Sequence, residues 1–567
     1  MKKITLTFLS ILFCLFLSFF NYLYIYTLLV STLSVFLIYI FAISKKSQSK
    51  KNKLITFIYI LFSYLFTNLA ILEILKVNYA NNGFTSIIIV TLLLPTLFLL
   101  SYRIILASHG FYESIFRLDE SNDYCDIAPV AKEGCSIIIT TRNEPFEVCK
   151  MTFDSAHELD YPVELKEIIV VDNSDLEFKD LSKWKEYVNK HKEIYGDNKC
   201  KFIHRNGVEG FKPRNLDIAI NNVSFNYVLF LDADSTLPKQ ALNVGMKEFE
   251  KVEKLGFVSF LIQSANYEVN LMTRVTSIFQ NTIRYFNEFT GKYGYCNFQG
   301  HNGIWSKEAL DKTHPWEEYY RGEVMVTEDI AAGFRCYEAG FESKPIFLKT
   351  GEWMPTSLKE FERMWLRWSF GGMQVMHKHI KKMLSSSNVT FRVKLDMLYL
   401  LFKIAVSGFP FLALLVVAFP RNDLWLAILI NLTLLPLIIL SVWYYFYGEI
   451  KGNVFSKIWQ IYISNFMLSS FVFWCGIKAE INFYLRKPQG WKPTCKKQVK
   501  DDSWSVILRQ HIGKITFSSF GLLVAIFSII RYFDSNDFSI YMFSMIPSIL
   551  LFLNTILCVL ILGKSRN

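Results

Sequence analysis

The chain has no Cys-x-x-Cys pair, and its ten dispersed cysteines show no zinc-like spacing. A sequence-legible zinc module is therefore excluded, and the thiols are expected to be reduced and structural. Neither a Gly-x-Gly-x-x-Gly nor a Walker-type glycine loop is present, so dinucleotide binding and P-loop ATP hydrolysis have no support. Phosphate charge must be met instead by a metal and basic side chains. The long apolar runs hold few ionisable residues: Glu73 and Lys76 lie near one run's end and Lys403 near another's start. Ion pathways usually carry such groups inside their spans, which argues against a transporter or a receptor that merely binds nucleotide. His377 and His379 sit in Met376–Lys382 without acidic partners in sequence, a pattern of membrane-surface charge more than of metal ligation. Asn388-Val-Thr390 would accept a glycan only outside the cytoplasm, where the topology does not place it.

What is abundant is apolar. Of 567 residues 52% are hydrophobic, with 51 Phe and 29 Tyr, and they are unevenly spread. Residues 1–107 and 397–562 are dominated by apolar runs, whereas 108–396 has the mixed patterning of a soluble α/β domain. The stretch Ile4–Ser44 carries no charge, about twice the ~20 residues of one spanning helix. It is too long for a signal peptide, lacks a small-residue cleavage pattern, and reads as spans near 4–20 and 22–43. Two more follow near 54–76 and 85–107. Spans near 397–420, 424–447, 515–533 and 540–562 bring the expected total to eight. Lys2, Lys3 and the run Lys45–Lys53 place the ends of the first hairpin inside, which leaves the middle domain in the cytosol. The segment 457–478 is expected to lie at the interface, because crossing would put the cationic Arg486–Lys500 outside. The net charge of +11 concentrates beside these runs, so it indicates a membrane face and not nucleic acid.

Within the middle domain three short apolar runs end in polar residues: Cys135–Pro145, Glu167–Asp175 and Tyr227–Ser235. Strands alternating with helices in this way predict a parallel sheet with a ligand crevice at the strands' carboxyl ends. In Tyr227-Val-Leu-Phe-Leu-Asp-Ala-Asp-Ser235 a buried strand runs into two carboxylates. Side chains two apart point the same way, so Asp232 and Asp234 can share one Mg²⁺ or Mn²⁺ whose remaining positions go to a diphosphate. Taken alone, the pair is equally a turn or cap.

Downstream come Phe298-Gln-Gly-His-Asn-Gly303, Thr327-Glu-Asp329 and Arg367-Trp-Ser-Phe-Gly371. In this order, on a domain flanked by spans, they resemble the membrane-integrated family 2 glycosyltransferases, the group of cellulose, hyaluronan and chitin synthases. The resemblance implies an α/β GT-A (Rossmann-like) cytosolic domain inserted between two helical transmembrane bundles, with interfacial helices. It divides the chain into 1–107 (N-terminal membrane region), 108–350 (GT-A domain), 351–396 (amphipathic interfacial helices with the Arg-Trp motif) and 397–567 (C-terminal membrane region with a gating-like loop at 486–500). It further implies a multi-pass plasma-membrane protein that takes a UDP-sugar donor and extends a growing polysaccharide across the bilayer.

Residue by residue, the resemblance puts Thr141, Asn143 and Glu144 beside the nucleotide, Asp172 on the base, and Asp232 and Asp234 on the metal-diphosphate motif. Asp329 falls on the catalytic base, with Glu328 beside it. Arg367 and Trp368 match the Arg-Trp of a Gln-x-x-Arg-Trp motif, near the diphosphate and the acceptor sugar, although Met364 stands where that motif has Gln. Trp491, Thr494 and Lys496 resemble a variant of the loop that closes over bound nucleotide in cellulose synthases; a polybasic loop on anionic lipid is the alternative. Lys212 and Arg214 stand where related enzymes keep a basic turn near the donor phosphates, or else form a solvated turn. Chemistry assigns the same roles independently, since inverting sugar transfer needs a carboxylate to accept the incoming hydroxyl's proton and a cation to stabilise the departing diphosphate. Thr327 could also cap a helix starting near Ile330. A transferase that adds one sugar to a lipid carrier would share the donor site but need neither the Arg-Trp pair nor the loop. Glucose is the expected sugar.

Overall fold

The computed structural model describes residues 132–196, 199–292, 294–405, 431, 434–489 and 503–564. The expected spans of the first 107 residues, the tip of the 397–447 hairpin and Trp491, Thr494 and Lys496 lie outside these residues.

Seven strands form the central sheet: β1 Cys135–Thr141, β2 Lys166–Asp172, β3 Cys200–His204, β4 Tyr227–Asp232, β5 Leu255–Ser264, β6 Gly303–Ser306 and, after a small hairpin of β7 Tyr319–Tyr320 and β8 Glu323–Val324, β9 Glu342–Glu352. Their order is β3-β2-β1-β4-β6-β5-β9, and only β6 runs antiparallel to its neighbours. Every residue of β1 is buried, because helices cover both sheet faces. Alternation then sorts the side chains: Ile137 and Ile139 join one core with Val170 and Leu229, while Ile138 joins the other with Ile169 and Phe230. The register aligns Thr141 with Asp172 and Thr140 with Asp232. Three strand ends thus meet at one edge, as the sequence pattern predicts.

The helices used below are α1 Phe211–Ile220, α2 Leu271–Gly291, α3 Glu328–Glu338 and α4 Leu358–Ser385, followed by α5 Val454–Tyr462, α6 Ser469–Tyr484, α7 Trp504–Tyr532 and α8 Phe538–Leu562. A π-helical turn, Ile463–Leu468, joins α5 to α6. Among the described residues, three helices are long and apolar enough to cross a membrane: Val454–Tyr484, Trp504–Tyr532 and Phe538–Leu562. The last two contain the spans expected near 515–533 and 540–562. The 457–478 segment, expected at the interface, is part of a continuous 31-residue helix that also has the length and hydropathy of a span. Its Lys478 lies 3.5 Å from Glu362 of α4. Helix α4 packs along α6, and Phe361, Met364 and Phe370 share a core with Phe471 and Cys475.

Candidate active site

Thr141, at the end of β1, donates its hydroxyl to Asp172 Oδ2 at 2.6 Å. Asp172 also accepts from the Ser174 amide (2.9 Å) and hydroxyl (2.8 Å), and its Oδ1 lies 3.0 Å from His204 Nδ1. The carboxylate is 1% exposed, so it ties three strand ends together beneath the crevice and is not presented to a base. Asn143 adopts φ 50° and exchanges hydrogen bonds with Asp175, which locks the loop after β1. Thr141 and Glu144, but not Asn143, line the cleft above.

The cleft holds about 720 Å³ of space, counting the solvent at its open mouth. Its lining includes Thr140, Arg142 and Asn173 after β1 and β2, Asp232 and Asp234 with Lys212, and Glu352, Trp353, Met364, Arg367 and Trp368 from β9 and α4 and the segment between them. Lys212, from the first turn of α1, reaches Asp232 Oδ1 at 2.6 Å, the Gly300 carbonyl at 3.2 Å and Glu328 Oε1 at 3.8 Å. Burial works against its charge, but Asp232 and Glu328 outweigh that and hold the ammonium above its ordinary range. Arg214, the other basic residue of this turn, points away: its guanidinium pairs with Glu317 at 2.7 and 2.8 Å and with Glu209 at 2.9 Å. Two residues along a helix rotate the side chain by about 200°, so only one of Lys212 and Arg214 can face the cleft.

The Asp232–Asp234 turn is held from several sides. Ser235 Oγ accepts from the Asp232 amide (3.1 Å) and lies 3.3 Å from His301 Nδ1; the Trp353 amide donates to Asp234 Oδ2 (3.2 Å). Thr236 and Gly351 exchange backbone hydrogen bonds, which staples the turn to the end of β9. Both carboxylates line the cleft, and Asp232 is partly exposed. Among the described residues no group of three or more His, Cys, Asp or Glu side chains is arranged to hold a metal alone. Two hard carboxylate oxygens beside an open cleft do fit a Mg²⁺ or Mn²⁺ that takes its other ligands from substrate phosphates and water.

Glu328 and Asp329 open helix α3. Thr327 occupies the N-cap position, but its hydroxyl makes no cap bond and is buried against Gly371 of α4, so its role is packing. Asp329 Oδ1 accepts from the Ile330 amide at 2.9 Å, while Oδ2 faces Gly300, whose φ of 85° and lack of a side chain keep that approach open. Burial first, then repulsion from Asp329 and Asp232, pushes Glu328 up to about 7 against the pull of Lys212. Asp329 is raised for the same principal reason, with Lys212 and Arg367 opposing. A buried carboxylate with raised proton affinity beside a cleft suits a general base. Met364 lines the cleft where a glutamine was looked for, and Gln280 of α2 brings its amide to 3.5 Å from the Met364 sulfur.

Sequence reasoning missed Glu352 and Gln280, and it gave His301 no role. Glu352 carried one usable signal, a carboxylate at a strand's carboxyl end like those of β2 and β4. Gln280 carried none, since a polar residue within a helix is commonplace. His379, read as surface charge, is instead buried and 3.0 Å from Glu318, an acid distant in sequence.

Residues 136–313 match the model for glycosyl transferase family 2, and residues 227–447 match that for glycosyl transferase family group 2. This region is a family 2 glycosyltransferase domain. A probable glucomannan 4-beta-mannosyltransferase of Oryza sativa subsp. japonica is 26% identical over 262 residues, 45% of this chain and 44% of the relative. The poly-beta-1,6-N-acetyl-D-glucosamine synthase of Staphylococcus epidermidis is 26% identical over 254 residues, 43% of this chain and 56% of the relative. The chain thus spans about half the length of the curated relatives it matches. Among solved structures, the mannosyltransferase PcManGT from Pyrobaculum calidifontis, in complex with GDP-Man and Mn²⁺, covers 69% of this chain and all of its own at 15% identity and a TM-score of 0.39, too loose an overlap to inform the site. Both aspartates of the Asp-x-Asp pair and the Arg-Trp pair line a single cleft, whereas Glu328 and Asp329 are not among its lining residues and adjoin it behind Lys212.

Proposed function

We propose that the protein is a membrane-integrated, processive and inverting polysaccharide synthase that transfers a hexose from a nucleotide sugar to a growing glycan and passes the product through its membrane helices. One observation carries this reading: α4, the helix that brings Arg367 and Trp368 to the cleft, is the same helix that packs against the apolar α6. Acceptor binding and membrane passage would then share one element, as elongation with export requires.

In this reading Lys212 and Arg367 meet the donor's diphosphate, and Trp368 offers an aromatic face to the acceptor sugar. Asp329 takes the proton of the acceptor hydroxyl as that oxygen attacks the anomeric carbon. Glu328 keeps Lys212 charged, and Gly300 leaves the approach to Asp329 clear. Asp232 and Asp234 would hold a divalent cation, which supplies charge stabilisation to the leaving diphosphate when bound. Arg142 and Asn173 are placed to meet the nucleoside, since Asp172 is spent on holding the strands together. UDP-glucose remains the first donor to try, and the relatives named for mannosyl and N-acetylglucosaminyl products add GDP-mannose and UDP-N-acetylglucosamine.

The test is turnover of these donors, radiolabelled, by the full-length protein in nanodiscs with Mg²⁺ or Mn²⁺, with products sized by gel. High-molecular-mass product from one donor, lost on chelation and in Asp232→Asn, is the expected result. A short, solvent-extractable glycolipid would replace the synthase reading with transfer to a lipid carrier.

A further inference from the structure

Glu352, like Glu144, is a cleft carboxylate without a role in the scheme above. It ends β9 and lines the cleft beside Trp353, and it is not part of the Asp-x-Asp or Thr-Glu-Asp motifs. Its ionised state is built in. Arg284 of α2 pairs with Oε2, and His301 Nε2 lies 3.7 Å from Oε1. Burial pushes the carboxyl up, but Arg284 and His301 overcome that and hold it well below the usual carboxylate range. His301 is held above its own ordinary range because Asp232 and Glu352 outweigh the cost of burying it.

An ionised carboxylate can accept about four hydrogen bonds, and these two partners leave acceptor capacity on Oε1. Trp353, Pro355 and Met364, which line the same cleft, are aromatic or apolar. An aromatic or apolar surface with one fixed acceptor suits a sugar ring, whose C–H faces pack on the surface while a hydroxyl donates to the carboxylate. Position selects which sugar. The backbone amide of Trp353, the next residue, is bonded to Asp234, and His301 connects Glu352 through Ser235 to the Asp232 amide. The group beside Glu352 is therefore the one attached to the diphosphate, the donor's own sugar.

We propose that Glu352 is a specificity-determining residue that accepts a hydrogen bond from a hydroxyl of the donor sugar and favours a neutral hexose over a uronic acid. This rests on the glycosyl-transfer reading above. A sugar bearing its own carboxylate would meet the ionised Glu352, and two like charges at that distance repel.

The test is calorimetric titration of the full-length protein in nanodiscs with Mn²⁺, using UDP, UDP-glucose, UDP-glucuronate, GDP and GDP-mannose, on the wild type and Glu352→Gln. The wild type should bind one neutral nucleotide sugar more tightly than its nucleoside diphosphate. In Glu352→Gln that sugar's affinity should fall about tenfold, the effect of a lost charged hydrogen bond, with nucleoside diphosphate affinity unchanged. Glu352→Asp keeps the charge but shortens the reach, and should fall between the two if the glutamine variant does not fold. Unchanged affinity for both ligands in a folded variant, or equal weakening of both, overturns the proposal; equal weakening would make Glu352 only a support for the Asp232–Asp234 turn. Binding of UDP-glucuronate on par with UDP-glucose overturns the selectivity. Failure of the wild type to bind any nucleotide sinks the glycosyl-transfer reading itself, and this proposal with it.

Discussion

Asp329 is the residue on which the proposed chemistry turns, and its environment sets two expectations. Asp329→Asn should lower turnover by about 10²- to 10⁴-fold, the usual contribution of a positioned base, while nucleotide binding persists. Because burial raises Asp329, the base loses its proton only above the ordinary aspartate range. kcat/KM should therefore climb with pH along an acid limb displaced upward from that of a free carboxylate. A limb at or below the ordinary range would remove Asp329 from that role. Glu328 adds a stability signature. Its folded-state pKa of about 7 exceeds the ordinary 4.5, so the folded state holds this proton more tightly than the unfolded one. Its contribution is best below 4.5 and is lost as pH rises from 4.5 towards 7. Glu328→Gln should match the wild-type Tm near pH 4.5 and exceed it above pH 7, as measured by thermal unfolding in detergent.

At the scale of elements, the contact between α3 and α4 places the base relative to the Arg-Trp pair. A Cβ on Gly371 would stand 2.4 Å from Thr327 Cγ2 and 2.5 Å from its Oγ1. Replacing a helical glycine by alanine ordinarily stabilises by about 1 kcal/mol. Here the overlap with a β-branched side chain that has no space to retreat should prevail, at about 1–3 kcal/mol. Gly371→Ala should thus lower Tm and, in the folded fraction, reduce turnover more than donor affinity, because it displaces Glu328 and Asp329 and leaves Asp232 alone. A variant more stable than wild type with full activity would show that α3 can shift freely against α4.

Over the whole molecule, catalytic domain and apolar helices meet at an ion cluster centred on the buried Glu362, with Lys478 half-exposed at its rim. Glu362 of α4 lies 2.7 Å from Lys514 and 3.5 Å from His511, both of α7, and 3.5 Å from Lys478 of α6. Removing one member of a buried ion cluster strands the others, typically at a cost of about 3–5 kcal/mol. Glu362→Leu should accordingly lower Tm in detergent far more than Lys564→Ala, whose ammonium only lies over the Trp504 ring. Equal effects would mean that the cluster is solvated. With three helices of spanning length among the described residues, the protein should also stay in the membrane fraction after an alkaline carbonate wash.

Sequence alone determined the positions of β1, β2 and β4 and the parallel core of the sheet, because the apolar runs and the polar residues that end them are local properties of the chain; β3, β5, β9 and the antiparallel β6 came only with the structure. It also picked out Asp232, Asp234, Glu328, Asp329, Arg367 and Trp368, since their motifs are contiguous. Only tertiary structure decided where side chains distant in sequence meet. Asp172 has the same sequence context as Asp232, yet Thr141, Ser174 and His204 surround it and withdraw it from the cleft. Lys212 and Arg214 sit two residues apart, and helix rotation gives one to the cleft and the other to Glu317. Glu352 gains its ionised state from Arg284 and His301, 68 and 51 residues away in the chain. Periodicity and motif are written in neighbouring residues; burial, pairing and charge state depend on contacts that exist only once the chain has folded.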